Sequence, residues 1–275
     1  MTVAEEQAAR SGDGERFESG AGEYAAYLET VEGRLRLDLA WENFRVFAAR
    51  HSGGGEGACA LDLGCGPGAL TLRLARGGWN VAAVDPSAAM LRLTEASARR
   101  EGLADLVAVH QLEAEGVAQA FGPSSFDAVI CHNVLEYVRD PVETAAAIGL
   151  LIRPGGIVSL VARNRAGEAL RDAVRLHDLD SAERALTAES VRESLYGGPA
   201  RLFDADSLRE LATGAGLQTI AVRGVRVVAD YLPPSLSDTP EAYARLLAFE
   251  LRLGAEPDFI PVARYTQLLA RASGN

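Results

Sequence analysis

The chain has 275 residues, and 38 acids against 27 bases leave it a formal charge of −11 at neutral pH. Hydrophobic content of 48% with 24% charged residues suits one large α/β domain with an elaboration, or two small ones, with enough apolar surface for a sizeable core. The acidity argues against broad non-specific nucleic-acid binding, which uses Lys and Arg to displace counterions from phosphates, but it leaves room for a local basic face.

Residues 1–22 are rich in Gly, Glu, Ala and Ser, and a mobile N-terminal tail is expected there. Residues 23–50 carry Tyr24, Tyr27, Leu28, Val31, Leu35, Leu39, Phe44 and Phe47 at helical spacing, which predicts a helical lid of two helices broken near Gly33. Four glycines in 51–57 form a linker into a strand over 58–63. Helices and strands then alternate: a helix over 69–76, a strand ending at Asp85, a helix over 87–100 capped by Ser87, a strand over 106–110, a short polar helix, and a strand over 125–132. A helix end and tight turn at Leu151-Ile152-Arg153-Pro154-Gly155-Gly156 feeds a fifth strand over 157–161.

The later part of the chain departs from this rhythm. Residues 164–200 and 233–256 read as cap insertions, the second containing a helix over 240–253. Between them lie a helix over 204–216 and a strand over 218–228, and a closing strand is expected over 261–271. Alternation at this period predicts a doubly wound, mostly parallel seven-stranded sheet with ligands at the carboxyl ends of its strands. On that rule Gly64 to Gly68, Asp85, Gln111 to Glu115 and His132-Asn133 share one rim. Residues 55–275 would form the catalytic domain.

The segment Ala60-Leu61-Asp62-Leu63-Gly64-Cys65-Gly66-Pro67-Gly68-Ala69 reads as a buried strand, an acid, a glycine-rich turn and a helix start, the pattern of a cofactor loop. By itself it also satisfies a relaxed dinucleotide pattern, with Asp85 about twenty residues on. Asp62 would oppose a pyrophosphate but suits a cationic ligand. Asp85, ending the second strand, can accept both hydroxyls of a ribose. With the Pro154-Gly155-Gly156 turn, this set resembles the class I S-adenosylmethionine-dependent methyltransferases over roughly residues 55 to 165. The resemblance implies a Rossmann-like fold, the S-adenosylmethionine cofactor and the leading helices lying across its mouth, so that Arg36 faces either solvent or the ligand's carboxylate. Gly64, Cys65 and Gly66 would offer backbone contacts, with Asp62 orienting the loop or meeting an ammonium through water.

Four further stretches look like the tRNA 5-carboxymethoxyuridine methyltransferases, which esterify a wobble-uridine carboxylate. They are Gly33-Arg34-Leu35-Arg36 with Trp41, His132-Asn133-Val134-Leu135-Glu136-Tyr137-Val138, Gly224-Val225-Arg226-Val227 with Asp230-Tyr231-Leu232, and Leu246-Leu247 through Glu250, Glu256-Pro257 and Arg264-Tyr265. By that resemblance Arg36, Gly64, Cys65, Asp85, the Glu113-Ala114 pair and His132 contact the cofactor, and Arg226 and Tyr231 lie on the acceptor side. Glu113 reads equally well as a surface acid, and His132 as a cofactor or an acceptor contact. The acceptor is either tRNA or a small-molecule metabolite, since Pro67 stands where the family loop has an acid and residues 176–193 mix acids among their arginines. No His, Cys or acid cluster has metal-ligand spacing, Cys59, Cys65 and Cys131 read as structural, and no metal is expected. No apolar run approaches the ~20 residues of a membrane span and the N-terminus is acidic, so the expected location is cytoplasmic.

Overall fold

A computed structural model describes residues 17–51, 57–193 and 197–273. Residues 1–16 of the expected tail lie outside the described residues. From Phe17 the chain is docked: the Glu18 carboxylate accepts hydrogen bonds from Ser87 Oγ and the Ala89 amide, and Phe17 meets Tyr137 edge to face. Helix α1 (Ala21–Glu29) and α2 (Val31–His51) follow. The break between them falls at Thr30, not Gly33. Thr30 has extended backbone, and its hydroxyl accepts from the Gly33 amide as a cap. Gly33 lies inside α2 because the Tyr27 carbonyl packs against it, 2.1 Å from where a Cβ would stand.

The core alternates β1 (Cys59–Leu63), α3 (Ala69–Arg76), β2 (Asn80–Asp85), α4 (Ala88–Arg100), β3 (Val107–Gln111), α5 (Val117–Phe121), β4 (Phe126–His132), α6 (Pro141–Leu151) and β5 (Ile152–Arg163). Local sequence fixes these boundaries. Ser87 caps α4 by accepting from Met90, and Asp140 caps α6 with Pro141 in the first turn, where no amide hydrogen is missed. Pairing in β5 begins at Ile152, earlier than expected, and slips across Pro154-Gly155 before resuming at Ile157.

Beyond β5 come α7 (Arg165–Val174), α8 (Leu179–Thr187), a small hairpin of β6 (Ser190–Arg192) and β7 (Pro199–Arg201), α9 (Ala205–Gly214), β8 (Leu217–Val225), α10 (Pro240–Leu253) and β9 (Tyr265–Ala272). The seven-stranded sheet runs β3-β2-β1-β4-β5-β9-β8. Strands β1 to β5 are parallel, and β9 inserts antiparallel between β5 and β8. Leu61, Leu63, Val129, Leu160 and Leu268 bury one sheet face, while Phe44, Phe47 and Leu74 pack on the other. Because β9 runs against its neighbours, its first residue shares the rim formed by the last residues of β1, β2, β4 and β5. That reversal decides which side chains meet.

Candidate functional site

A cavity of about 730 Å³ opens on this rim. Strand order sets its axis. Asp85 on β2 and Tyr265 on β9 are four strand spacings apart, roughly 19 Å at about 4.8 Å each. Asp85 borders the first end, and a cluster of guanidinium groups with their partner carboxylates borders the second.

At the acidic end the glycine loop is held from below. The Gly64 and Cys65 amides both donate to the Val84 carbonyl, at 2.8 and 2.9 Å, and the Gly66 amide donates to Asp85 Oδ2 at 2.9 Å. These three loop amides are therefore committed inside the protein. A Cβ at Gly64 would stand 2.2 Å from Val134, and one at Gly68 would stand 2.8 Å from Thr94. Positive φ at Gly64, Gly66 and Gly68 serves the turn, and Gly64 and Gly68 also allow close protein packing. Gly64 and Gly66 line the cavity, whereas Cys65 does not. Burial pushes the Cys65 thiol pKa up, leaving a neutral packing group.

Asp85 accepts one amide on each oxygen, Gly66 on Oδ2 and Ser87 on Oδ1. Each oxygen keeps a second lone pair, and the group borders the cavity. Burial raises its pKa against those two bonds. Val84, Pro86, Met90, Leu112 and Ala114 form an apolar slot beside it, and Glu113 stands exposed at its edge. Asp62 lies under the loop on a separate void of about 40 Å³, room for a bridging water. There it accepts from the Thr71 hydroxyl at 2.6 Å, and burial lifts its pKa to about 6.

His132 ends β4 between the two halves. Its Nε2 lies 2.7 Å from Ser159 Oγ, and burial, then the nearby Arg36 cation, pull its pKa down to about 3, so the ring is neutral at physiological pH. Arg36 comes from α2, is 6% exposed, donates to the Tyr24 hydroxyl at 2.7 Å and lies over the rings of Tyr24, Tyr27 and Tyr265. Among the described residues no carboxylate pairs with it.

The other buried guanidiniums are paired. Arg226 binds Asp230 and donates to the Tyr27 hydroxyl at 3.1 Å. Arg264 binds Glu168, and Arg163 faces Glu193 at 3.3 Å and Glu168 at 3.5 Å. Arg163 Nε is buried with no hydrogen-bond partner. Tyr265 sits among them: burial alone would raise its pKa, but Arg264, Arg36, Arg226 and Arg163 overcome this and bring it to about 8.

Of the expected site residues, Arg36, Gly64, Gly66, Asp85, Glu113, Ala114, His132 and Arg226 line the cavity. Tyr231 does not. It ends a single 3₁₀ turn, Ala229–Tyr231, whose roughly 120° step per residue turns Asp230 inward and Tyr231 away. Tyr24, Tyr27, Arg163, Arg264 and Tyr265 were missed as site residues. The Arg264-Tyr265 pair was visible as a motif, but its place depends on the direction of β9. Among the described residues no group of three or more His, Cys, Asp or Glu could hold a metal ion, and no helix is long and apolar enough to cross a membrane.

A profile described as a methyltransferase domain matches residues 61–160. The tRNA 5-carboxymethoxyuridine methyltransferase of Escherichia coli O157:H7 is 28% identical over 243 residues, covering 88% of this chain and 90% of that protein. The ubiquinone biosynthesis O-methyltransferase of Paracidovorax citrulli is 34% identical over 62% of this chain and 67% of its own length. A putative S-adenosylmethionine-dependent methyltransferase from Listeria monocytogenes shares the fold, with TM-score 0.60 at 16% identity over 87% of this chain and 99% of that one. The chain belongs to the class I S-adenosylmethionine-dependent methyltransferases, and it is an enzyme that uses that cofactor. The cavity fits such a ligand: an apolar slot for a base, a carboxylate with free lone pairs beside it, and a buried guanidinium without a carboxylate.

Proposed function

We propose that this methyltransferase esterifies a carboxylate, and that the carboxylate is carried on the wobble uridine of a tRNA. Asp85 would take the ribose hydroxyls on its remaining lone pairs, Met90, Leu112 and Ala114 would flank the base, and Arg36 would meet the methionine carboxylate. Asp62 would act on the ammonium through water. Arg226, Arg163 and Arg264 would face the acceptor.

The observation that carries the reading is the cluster of Arg36, Arg163, Arg226 and Arg264 at one end of the cavity, one guanidinium more than the carboxylates Glu168, Glu193 and Asp230 that pair them. A carboxylate entering there would offset the remaining positive charge and accept charge-assisted hydrogen bonds. Methyl transfer from a sulfonium is an in-line displacement that needs acceptor and methyl about 3–3.5 Å apart and aligned. A carboxylate is ionised at neutral pH and gives up no proton.

Labelled S-adenosylmethionine, purified enzyme and tRNA bearing or lacking 5-carboxymethoxyuridine test the proposal. Alkali-labile label should enter only the former, and Arg163→Gln should cut transfer at least tenfold while S-adenosylhomocysteine affinity stays within about threefold. Absence of label in any tRNA would end it. A small carboxylated metabolite is the second reading, favoured by the net charge and by the acids Asp178, Asp180 and Glu183 among the arginines of the cap.

A further inference from the structure

His132 belongs to a buried polar chain that links four elements. Asn43 Nδ2 on α2 donates to Gln267 Oε1 at 2.9 Å. Gln267 Nε2 on β9 donates both to the Ala40 carbonyl and to Ser159 Oγ, each at 2.9 Å. Ser159 on β5 then meets His132 Nε2 at 2.7 Å. Ser159 and Gln267 are both fully buried.

The direction of each proton follows from what the groups can do. The Ala40 carbonyl only accepts, so the nitrogen of the Gln267 amide faces it, and the same nitrogen must donate to Ser159 Oγ. An amide nitrogen cannot accept the Ser159 proton in return. The remaining partner of that hydroxyl is His132 Nε2, which must offer a lone pair. Were Nε2 protonated instead, Ser159 would accept twice and its own hydrogen would be buried with no acceptor, a bias of roughly tenfold or more against that arrangement.

We infer that Ser159 and Gln267 are positioning residues that hold His132 in the Nδ1–H tautomer, with Nε2 spent inside the sheet. Nδ1 makes no hydrogen bond to the described residues, and His132 lines the cavity. His132 is therefore a hydrogen-bond donor toward bound ligands and takes no proton from the methyl acceptor. The consequence for the acceptor rests on the function proposed above, since it favours a group that arrives already ionised. The tautomer itself does not rest on it.

Two-bond nitrogen–proton correlation spectra of the full-length apo protein, labelled with ¹⁵N-histidine, test the assignment, with His132 identified by its loss in His132→Asn. The wild type should show a neutral ring with Nδ1 protonated near neutral pH. Gln267→Glu, read at a pH high enough to ionise the new carboxylate, places an acceptor where Ser159 found a donor, so the Ser159 proton turns toward it and the ring should invert to Nε2–H. Ser159→Ala removes the donor and should abolish the single-tautomer signature with a native circular-dichroism spectrum. Nε2–H or imidazolium in the wild type would overturn the inference, as would an unchanged tautomer in a folded Gln267→Glu. No cofactor or acceptor is present in these measurements, so failure to methylate tRNA would leave the tautomer standing, and the reverse holds equally.

Discussion

Asp85 does two jobs with one carboxylate, pinning the Gly66 and Ser87 amides and bordering the cavity. Asp85→Asn keeps the shape but turns a donor toward one of those amides, so affinity for S-adenosylhomocysteine should fall about ten- to a hundredfold, the worth of a charged hydrogen bond, by calorimetry. Asp62 makes the pH prediction. Its folded pKa of about 6 lies above the ordinary value, so folding favours the protonated form: the stabilisation is complete below about pH 4 and is lost as pH rises through 6. A cationic cofactor has the opposite preference. S-adenosylmethionine affinity should rise as pH climbs through about 6, and Asp62→Asn should flatten that limb in a binding titration. The rim positions of Asp85 and His132 were legible in the sequence because each ends a strand, and strand ends are where alternating β and α elements converge; Asp62 lies one residue before the end of β1. Tyr231 falls outside the cavity lining because successive residues of a 3₁₀ turn do not point the same way. Tyr265 escaped because nothing in its own strand pattern tells up from down.

Helix α10 shows an element acting on a site it never touches. Its Glu250 is fully buried and accepts from three successive amides, Val227, Val228 and Ala229. These amides follow Arg226, whose φ of +60° is unfavourable for a residue with a side chain. Glu250 thus holds the turn that aims Arg226 at the cavity. Burial raises its pKa and the three amides oppose the rise. Glu250→Gln puts an amide donor against amide donors and should cost on the order of 3 kcal/mol in chemical denaturation. Methyl transfer should fall further than the loss of folded protein explains, while S-adenosylhomocysteine binding, at the other end of the sheet, changes little. Helix ends and the α10 boundaries could be read from caps and prolines, because those signals are local. The role of Glu250 could not, because its partners lie more than twenty residues away and only β9 and β8 bring them together. The break at Thr30 rather than Gly33 has the same cause: a glycine's reason for being small can lie in a neighbouring helix.

At the scale of the whole molecule, a chain of net charge −11 still gathers Arg36, Arg163, Arg226 and Arg264 at one end of its cavity, with Asp230, Glu168 and Glu193 as their partners. The net charge opposes a polyanion such as tRNA at long range, so attraction has to come from local groups of arginines. Two exposed guanidiniums, Arg139 and Arg175, line the cavity opening while leaning on Glu115 and Glu32. Phosphates would have to compete with those carboxylates, so few contacts can form. With about two or three phosphates neutralised on a single-stranded anticodon loop, the slope of log affinity against log salt should be only about −1.5 to −2. Reversing both charges, Arg139→Glu with Arg175→Glu, should weaken tRNA binding at least tenfold in a filter-binding or fluorescence assay, and Arg175→Glu alone should leave S-adenosylhomocysteine affinity unchanged, because Arg175 leans on Glu32 of α2 whereas Arg139 pairs with Glu115 just beyond the apolar slot. A slope steeper than about −5 would require a broad basic face that this charge distribution does not provide. Binding indifferent to both salt and charge reversal would mean that the acceptor reaches the arginines as a free carboxylate, and the cap would then serve to enclose a small molecule rather than to receive a folded-out base.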